Sequence, residues 1–241
     1  MLIKKTGIFA TDTCHMELEL RIRMNEQLFL RDPEETTLGK KIVRESIRMI
    51  DEIGFEEFTF RKLAQKINTT EASVYRYFEN KHRLLIYILA WYWSLLEYRL
   101  LFHTKNMNSP EKKIKKLIEL LLNEVQDDIW GDASTRQSLY QIATQESNKT
   151  YLTRLVAENN KAKFYKPYKD LCSLVAEIFL AFNPHYPFGR SLASTLIEMA
   201  HFQFFFKNNL PSLTDFGKEK NNDRLREFLE SLVFSSIRKR K

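Results

Sequence analysis

From Thr37 onward, apolar residues recur at the three-and-four spacing of buried helix faces, and no stretch keeps the strict alternation of a strand. Ile42, Val43, Ile47 and Ile50 form the first stripe, which stops at Gly54, and Phe55 and Phe58 fold back onto it. Thr59 is a good N-cap for a second helix through Ile67, with Leu63, Ala64 and Ile67 as its buried face. Asn68-Thr69 makes the turn, since Asn enters the left-handed backbone region more easily than most residues. Thr70 caps a third helix, and Asn80 caps a long fourth one reaching about Phe102.

Further on, Ser109-Pro110-Glu111 is a start signal made of a cap, an N1 proline and an acid at the positive end of the dipole. Ile114, Leu117, Ile118, Leu121 and Leu122 follow on one face. Ser134 caps another helix to about Glu146, residues 150–166 continue as helix, and Pro167 marks a kink or restart. Asn183-Pro184-His185-Tyr186-Pro187 is a break, and the last two helices cover 188–208 and 222–238. The pattern predicts an all-α chain of nine to ten helices. Residues 1–36 lack periodicity and end in the polar run Arg31-Asp32-Pro33-Glu34-Glu35, so they read as an N-terminal extension whose start is Met1, Met16 or Met24.

Composition agrees: six glycines and six prolines leave few turns, and 44% hydrophobic residues is the range of globular proteins. A net charge of +7 with a pI near 9.2 favours an anionic partner without naming one. Cys14 and Cys172 lie far apart and read as free thiols of a reducing compartment, which places the protein in the cytoplasm. Leu84–Phe102 has about the length of a bilayer span, but Glu97 and Arg99 would each cost roughly 2.5–3.5 kcal/mol at mid-membrane. A buried helix is the better reading, with no membrane partner.

Residues 59–81 carry the most chemistry. At about 100° per residue, Val74 and Phe78 share a face that packs on Leu63 and Ala64, so Ala72 and Arg76 point the opposite way. Ala72 lets a backbone come close and can touch a thymine methyl, while Arg76 can reach guanine or a phosphate. Ser73, Tyr75 and Tyr77 suit phosphate oxygens, as do Thr59 and Thr70 at helix N-termini and Lys81 at the start of the fourth helix. The same caps would serve any helical protein, so spacing alone leaves DNA binding open.

The segment from about Gly39 to Leu85 resembles the N-terminal DNA-binding domain of the TetR family of bacterial regulators. Thr59, Leu63, Ala64, Thr70, Ser73, Val74, Tyr75, Tyr77, Phe78, Asn80-Lys81 and Leu84-Leu85 carry the resemblance, with Ile53-Gly54-Phe55 before them. It implies that Ser73, Tyr75, Tyr77 and Lys81 hold phosphates and that Glu71, Ala72 and Arg76 face bases. Two residues depart from the family pattern. Asn68 stands where glycine is common, and Glu71 stands where a basic or neutral polar residue is frequent, which fits a first-turn acid answering the helix dipole.

The resemblance divides the chain into an extension (1–36), a helix-turn-helix domain (37–85) and a helical ligand-binding and dimerisation domain (86–241). It implies a homodimer on double-stranded DNA, acting as a repressor released from a palindromic operator by a small-molecule effector. Leu192, Leu196, Met199, Phe202 and Phe206 on one terminal helix, with Leu225, Phe228, Leu229, Leu232 and Val233 on the other, are the expected dimer interface. Trp91, Trp93, Tyr98, Tyr140, Phe164 and Tyr168 are the expected pocket, suited to an apolar or aromatic effector, although an aromatic stripe equally makes core. Arg238-Lys239-Arg240-Lys241 reads as a solvated helix end. Two other readings stay open: a helical adaptor with a degenerate helix-turn-helix, and a helical-bundle enzyme. The second lacks sequence support, because His15, His82, His103, His185 and His201 make no HExxH or ExxH pair, and no metal, cofactor or catalytic residue is expected.

Overall fold

Helix starts fall where capping side chains stand in the sequence. Thr36 Oγ1 accepts from Gly39 N, Thr59 from Lys62 N, Thr70 from Ser73 N, Asn80 from Arg83 N and Ser109 from Lys112 N. The structure, a computed structural model, describes residues 22–126, 133–217 and 219–238. Cys14, Met1, Met16 and Lys239–Lys241 lie outside the described residues.

Eleven α-helices and no strand occur among the described residues. They are α1 (Thr37–Glu57), α2 (Phe60–Lys66), α3 (Glu71–Tyr75), α4 (Lys81–Thr104), α5 (Pro110–Leu121), α6 (Ala133–Glu146), α7 (Asn148–Tyr151), α8 (Val156–Lys161), α9 (Lys166–Phe182), α10 (Gly189–Asn209) and α11 (Asp223–Ile237). The added helices come from 150–166, which is broken rather than continuous: α7 and α8 are short, and Lys163 takes φ 62° before α9 restarts with Pro167 in its first turn. Ser134 lies inside α6 rather than capping it. Gly54 takes φ 77° and ψ 157°, a region reserved for glycine, so the helical run of α1 does break there.

Helix α4 is the spine. It is long and apolar enough to cross a bilayer, yet most of it is buried inside the protein. It packs on α9, α5 and α6 and meets α1 at its start, while α9 and α10 pair, α11 covers α5 and α10, and α1 rests on α6. Arg99, buried mid-helix, donates to the Val125 carbonyl at 2.7 Å, which accounts for a charge inside an apolar stretch.

Of the expected extension, residues 22–36 are described, and they form a strap packed on the helices. Leu28 and Pro33 are buried in its two 3-10 turns. Leu30 N donates to the Tyr77 carbonyl at 2.8 Å, Asn25 Nδ2 donates to the Ala162 carbonyl at 2.7 Å, and Phe29 packs edge-on against Tyr87. A Cβ on Gly39 would lie 2.4 Å from the Pro33 carbonyl oxygen, so only glycine admits the strap at that point.

Candidate nucleic-acid interface

Helices α2 and α3 are held by a shared apolar wedge of Leu63, Ala64, Ile67, Val74 and Phe78, all buried as the helical spacing predicts. Asn68 takes φ 55° in the turn between them, the left-handed conformation expected of it. With that wedge fixed, Glu71, Ala72, Tyr75 and Arg76 are exposed on the outer side of α3 and Ser73 is half-buried. Tyr75 is braced edge-on against Phe60 with ring centroids 5.0 Å apart, which directs a semi-rigid phenol outward. Thr70 Oγ1 and Ser73 Oγ lie 2.8 Å apart at the start of α3, and Thr59 is exposed at the start of α2. Hydroxyls therefore stand beside free helix-end N–H groups, where an anion is favoured.

Two of the expected phosphate contacts, Tyr77 and Lys81, are engaged inside the protein. Tyr77 is buried, and its hydroxyl pairs with Thr36 Oγ1 at 2.7 Å, so it ties the recognition helix to the start of α1. Lys81 donates to the carbonyls of Phe55, Glu56 and Phe58 at 3.0, 2.9 and 3.1 Å, and its ammonium sits 4.7 Å from the centre of the Phe55 ring. All three of its protons are used inside the protein. It clamps the corner where α1 gives way to α2.

Other cations come forward instead. Arg61 is exposed in the first turn of α2, and neither it nor Arg76 has an ion-pair partner among the described residues. By contrast Lys62 pairs with Glu57 at 3.2 Å and Lys66 with Glu52 at 3.7 Å. Arg31, on the strap, lies over the Tyr77 ring at 5.6 Å and is exposed. For Arg61 the available signal is its place two residues after the cap Thr59; for Arg31 the sequence carries none. The face thus offers hydroxyls, a phenol and unpaired guanidinium groups around a small residue, the set needed to hold phosphates while one helix approaches base edges.

Residues 42–88 match the family of bacterial regulatory proteins, tetR family. The chain carries a TetR-family DNA-binding domain. No curated protein matches the chain in sequence. Among solved structures, AibR in complex with isovaleryl coenzyme A and operator DNA is similar, at 15% identity and a TM-score of 0.55 over 82% of this chain and 98% of that one. The fatty acid degradation regulator FadR from Bacillus halodurans is similar at 16% identity and a TM-score of 0.57, over 83% and 99%. Both likenesses are of fold.

The TetR-family domain is joined to the rest through α6. Glu146, buried at its end, accepts from Phe55 N at 3.1 Å and pairs with Lys149 at 2.8 Å, and Lys149 also pairs with Glu56 at 2.8 Å. The hydrogen bond and charge of Lys149 hold the Glu56 carboxyl below its ordinary range. Ser138 on α6 donates to Asp51 on α1 at 2.7 Å.

The expected effector residues separate into groups. Trp93, Phe164 and Tyr168 line one small cavity of about 20 Å³ between α4, α7 and α9, together with Thr150, Tyr151 and Tyr165. Tyr140 lies behind it against His201 and Phe204. Tyr98 stacks on the exposed Phe102 at the surface, and Trp91 is half-buried against the core; neither lines the cavity. A solvent-open groove of about 340 Å³ between α9 and α10 is lined by none of the expected residues.

The expected dimer interface also divides. Leu192, Leu196, Leu225, Leu229 and Val233 are buried within the chain, because each stripe already covers its own core. Met199, Phe206 and Leu232 are half-buried, and Phe202 and Phe228 are each 37% exposed. Only this second set is available to another molecule.

Proposed function

We propose that the protein is a dimeric, sequence-specific repressor that binds a palindromic operator through two copies of the α2–α3 face and leaves it when a small molecule enters the α4–α10 domain. The observation that carries the reading is the outer face of α3: Ala72 and Arg76 project opposite a rigid apolar wedge, flanked by Thr59, Thr70, Ser73 and Tyr75. Arg61 and Arg31 extend its positive rim. Glu71 belongs to the first turn of α3, where its carboxylate answers the helix dipole.

Dimerisation is supported by what α10 and α11 leave uncovered. Phe202 stacks on Phe206 at 6.0 Å, and Phe228 and Leu232 continue the strip onto the next helix. Pairing two copies there would form a four-helix contact and set two recognition helices about one duplex turn apart, roughly 34–36 Å. A protein that acts on chromosomal operators works in the cytoplasm of a bacterium. The effector reading is supported by the aromatic cavity and by the similar fold of a protein whose structure holds both isovaleryl coenzyme A and operator DNA. Selection of bound duplexes from a random pool tests the proposal: an enriched inverted repeat supports it, whereas retention of DNA without a consensus supports a helical adaptor.

A further inference from the structure

The core behind the aromatic cavity contains two polar atoms that the fold leaves unanswered. His201 is buried on α10, its Nε2 is 3.2 Å from the Tyr92 hydroxyl, and its Nδ1 has no hydrogen-bond partner. The Tyr140 hydroxyl on α6 is also buried without a partner, and its ring meets His201 edge-on with centroids 5.9 Å apart. The neighbouring Thr144 hydroxyl is turned to the Tyr140 backbone carbonyl, to which it donates at 2.8 Å. Buried polar groups are nearly always paired, so two orphans in one cluster mark a place for an outside hydrogen-bonding group.

Trp93 separates this pair from the cavity. Its ring is 5.5 Å from that of His201 on one side and 4.7 Å from that of Tyr168, a cavity-lining residue, on the other. The cavity holds about one water as it stands. Its α7 side is a single short helix contributing Thr150 and Tyr151, followed in the chain by the exposed apolar side chains Leu152, Leu155 and Val156. Such a wall is less firmly packed than the long helices opposite it.

We propose that the cavity and the His201–Tyr140 pair are two halves of one effector site, with Trp93 as the partition, and that its ligand has an apolar body ending in a single uncharged oxygen, a ketone or alcohol. The inference rests on the effector reading above and narrows it by chemistry. Nδ1 of a neutral imidazole and a phenol can each donate to such an oxygen, whereas a carboxylate would need a cation that the pair does not supply. Burial pushes the His201 imidazole down to about 4, so the ring is neutral at physiological pH and offers no full charge to either kind of ion.

Three probes of equal chain length, 2-octanone, octanoate and octylammonium, test this on the full-length protein by the shift in thermal midpoint and by the change in tryptophan fluorescence. The ketone is expected to raise the midpoint and alter the emission, and the two ions to do neither. Tyr140→Phe deletes one orphan hydroxyl and keeps the ring. It is expected to weaken ketone binding roughly three- to tenfold while leaving the ligand-free midpoint unchanged or higher, since a desolvated unpaired hydroxyl has been removed. Trp93→Phe is expected to abolish the fluorescence response and retain the midpoint shift. Equal binding of all three probes, no binding of the ketone, or unchanged ketone affinity in Tyr140→Phe overturns the proposal. A lowered ligand-free midpoint in that variant assigns the pair to a structural water instead and also overturns it. Operator binding measured on the same samples keeps the two readings apart, because it persists if only this inference fails and is missing if the regulator reading fails.

Discussion

Lys81 and Arg76 are both cations at the edge of the helix-turn-helix, yet their surroundings give them different work. Lys81 spends its ammonium on the carbonyls of Phe55, Glu56 and Phe58, while Arg76 is exposed and unpaired among the described residues. Lys81→Ala should therefore cost about 1–3 kcal/mol of stability, read by urea unfolding, because three carbonyls lose a charged donor. Arg76→Ala should leave the unfolding midpoint in place and cost about 1–3 kcal/mol of operator affinity, with relaxed preference at one base position. Tyr77→Phe belongs with Lys81: losing the Thr36 partner should cost about 1 kcal/mol in unfolding and leave DNA affinity unchanged. The sequence pattern gave Thr59, Thr70, Ala72, Tyr75 and Arg76 their places because those depend on a local cap or on helical angle. The intrachain partners of Tyr77 and Lys81, Thr36 and the Phe55–Phe58 carbonyls, are not legible in the pattern because they are distant in the chain and are met only after folding.

At the scale of elements, boundaries with a chemical mark were legible and those without one were not. Thr59, Asn68, Ser109-Pro110 and Asn183–Pro187 each name a start, turn or stop, and the helices obey them. The division of 150–166 into α7 and α8 has no such mark, since the left-handed residue there is Lys163. The apolar stripes of α10 and α11 are broad enough to suggest an interface, but Leu192, Leu196, Leu225 and Leu229 are required by the chain's own core. The packing of α1 on the rest of the chain is concentrated on α6. Glu146→Ala removes the acceptor of Phe55 N and the partner of Lys149, so it should lower stability by about 1–3 kcal/mol. It should also reduce effector-dependent release from DNA, read by anisotropy of a labelled operator with and without ligand, since the carboxylate is the tie between α6 and the α1 corner.

Across the whole molecule, the buried neutral histidine makes stability depend on acidity in a defined window. His201 is held at about 4 by burial, below its ordinary value of 6.5. The unfolded chain therefore binds one more proton between those values, and the contribution is full above pH 6.5 and lost as pH falls towards 4. The loss is on the order of 3 kcal/mol, visible as a falling urea midpoint from pH 7 to pH 4.5, and His201→Leu should flatten that slope. The same molecule-wide view joins the basic charge, the exposed α3 face and the uncovered Phe202–Phe228 strip into one account, in which a twofold dimer reads two half-sites. Phosphate holding by Thr59, Thr70, Ser73, Tyr75, Arg61 and Arg31 would make that binding steeply salt-dependent, with roughly −0.9 of log–log slope per neutralised phosphate. The most direct test is selection from a random duplex pool at two salt concentrations, followed by sequencing. The account predicts an inverted repeat with half-site centres about one turn or a multiple apart, bound more weakly as salt rises. A pool that shows no enriched repeat, or an affinity that ignores salt, would contradict it.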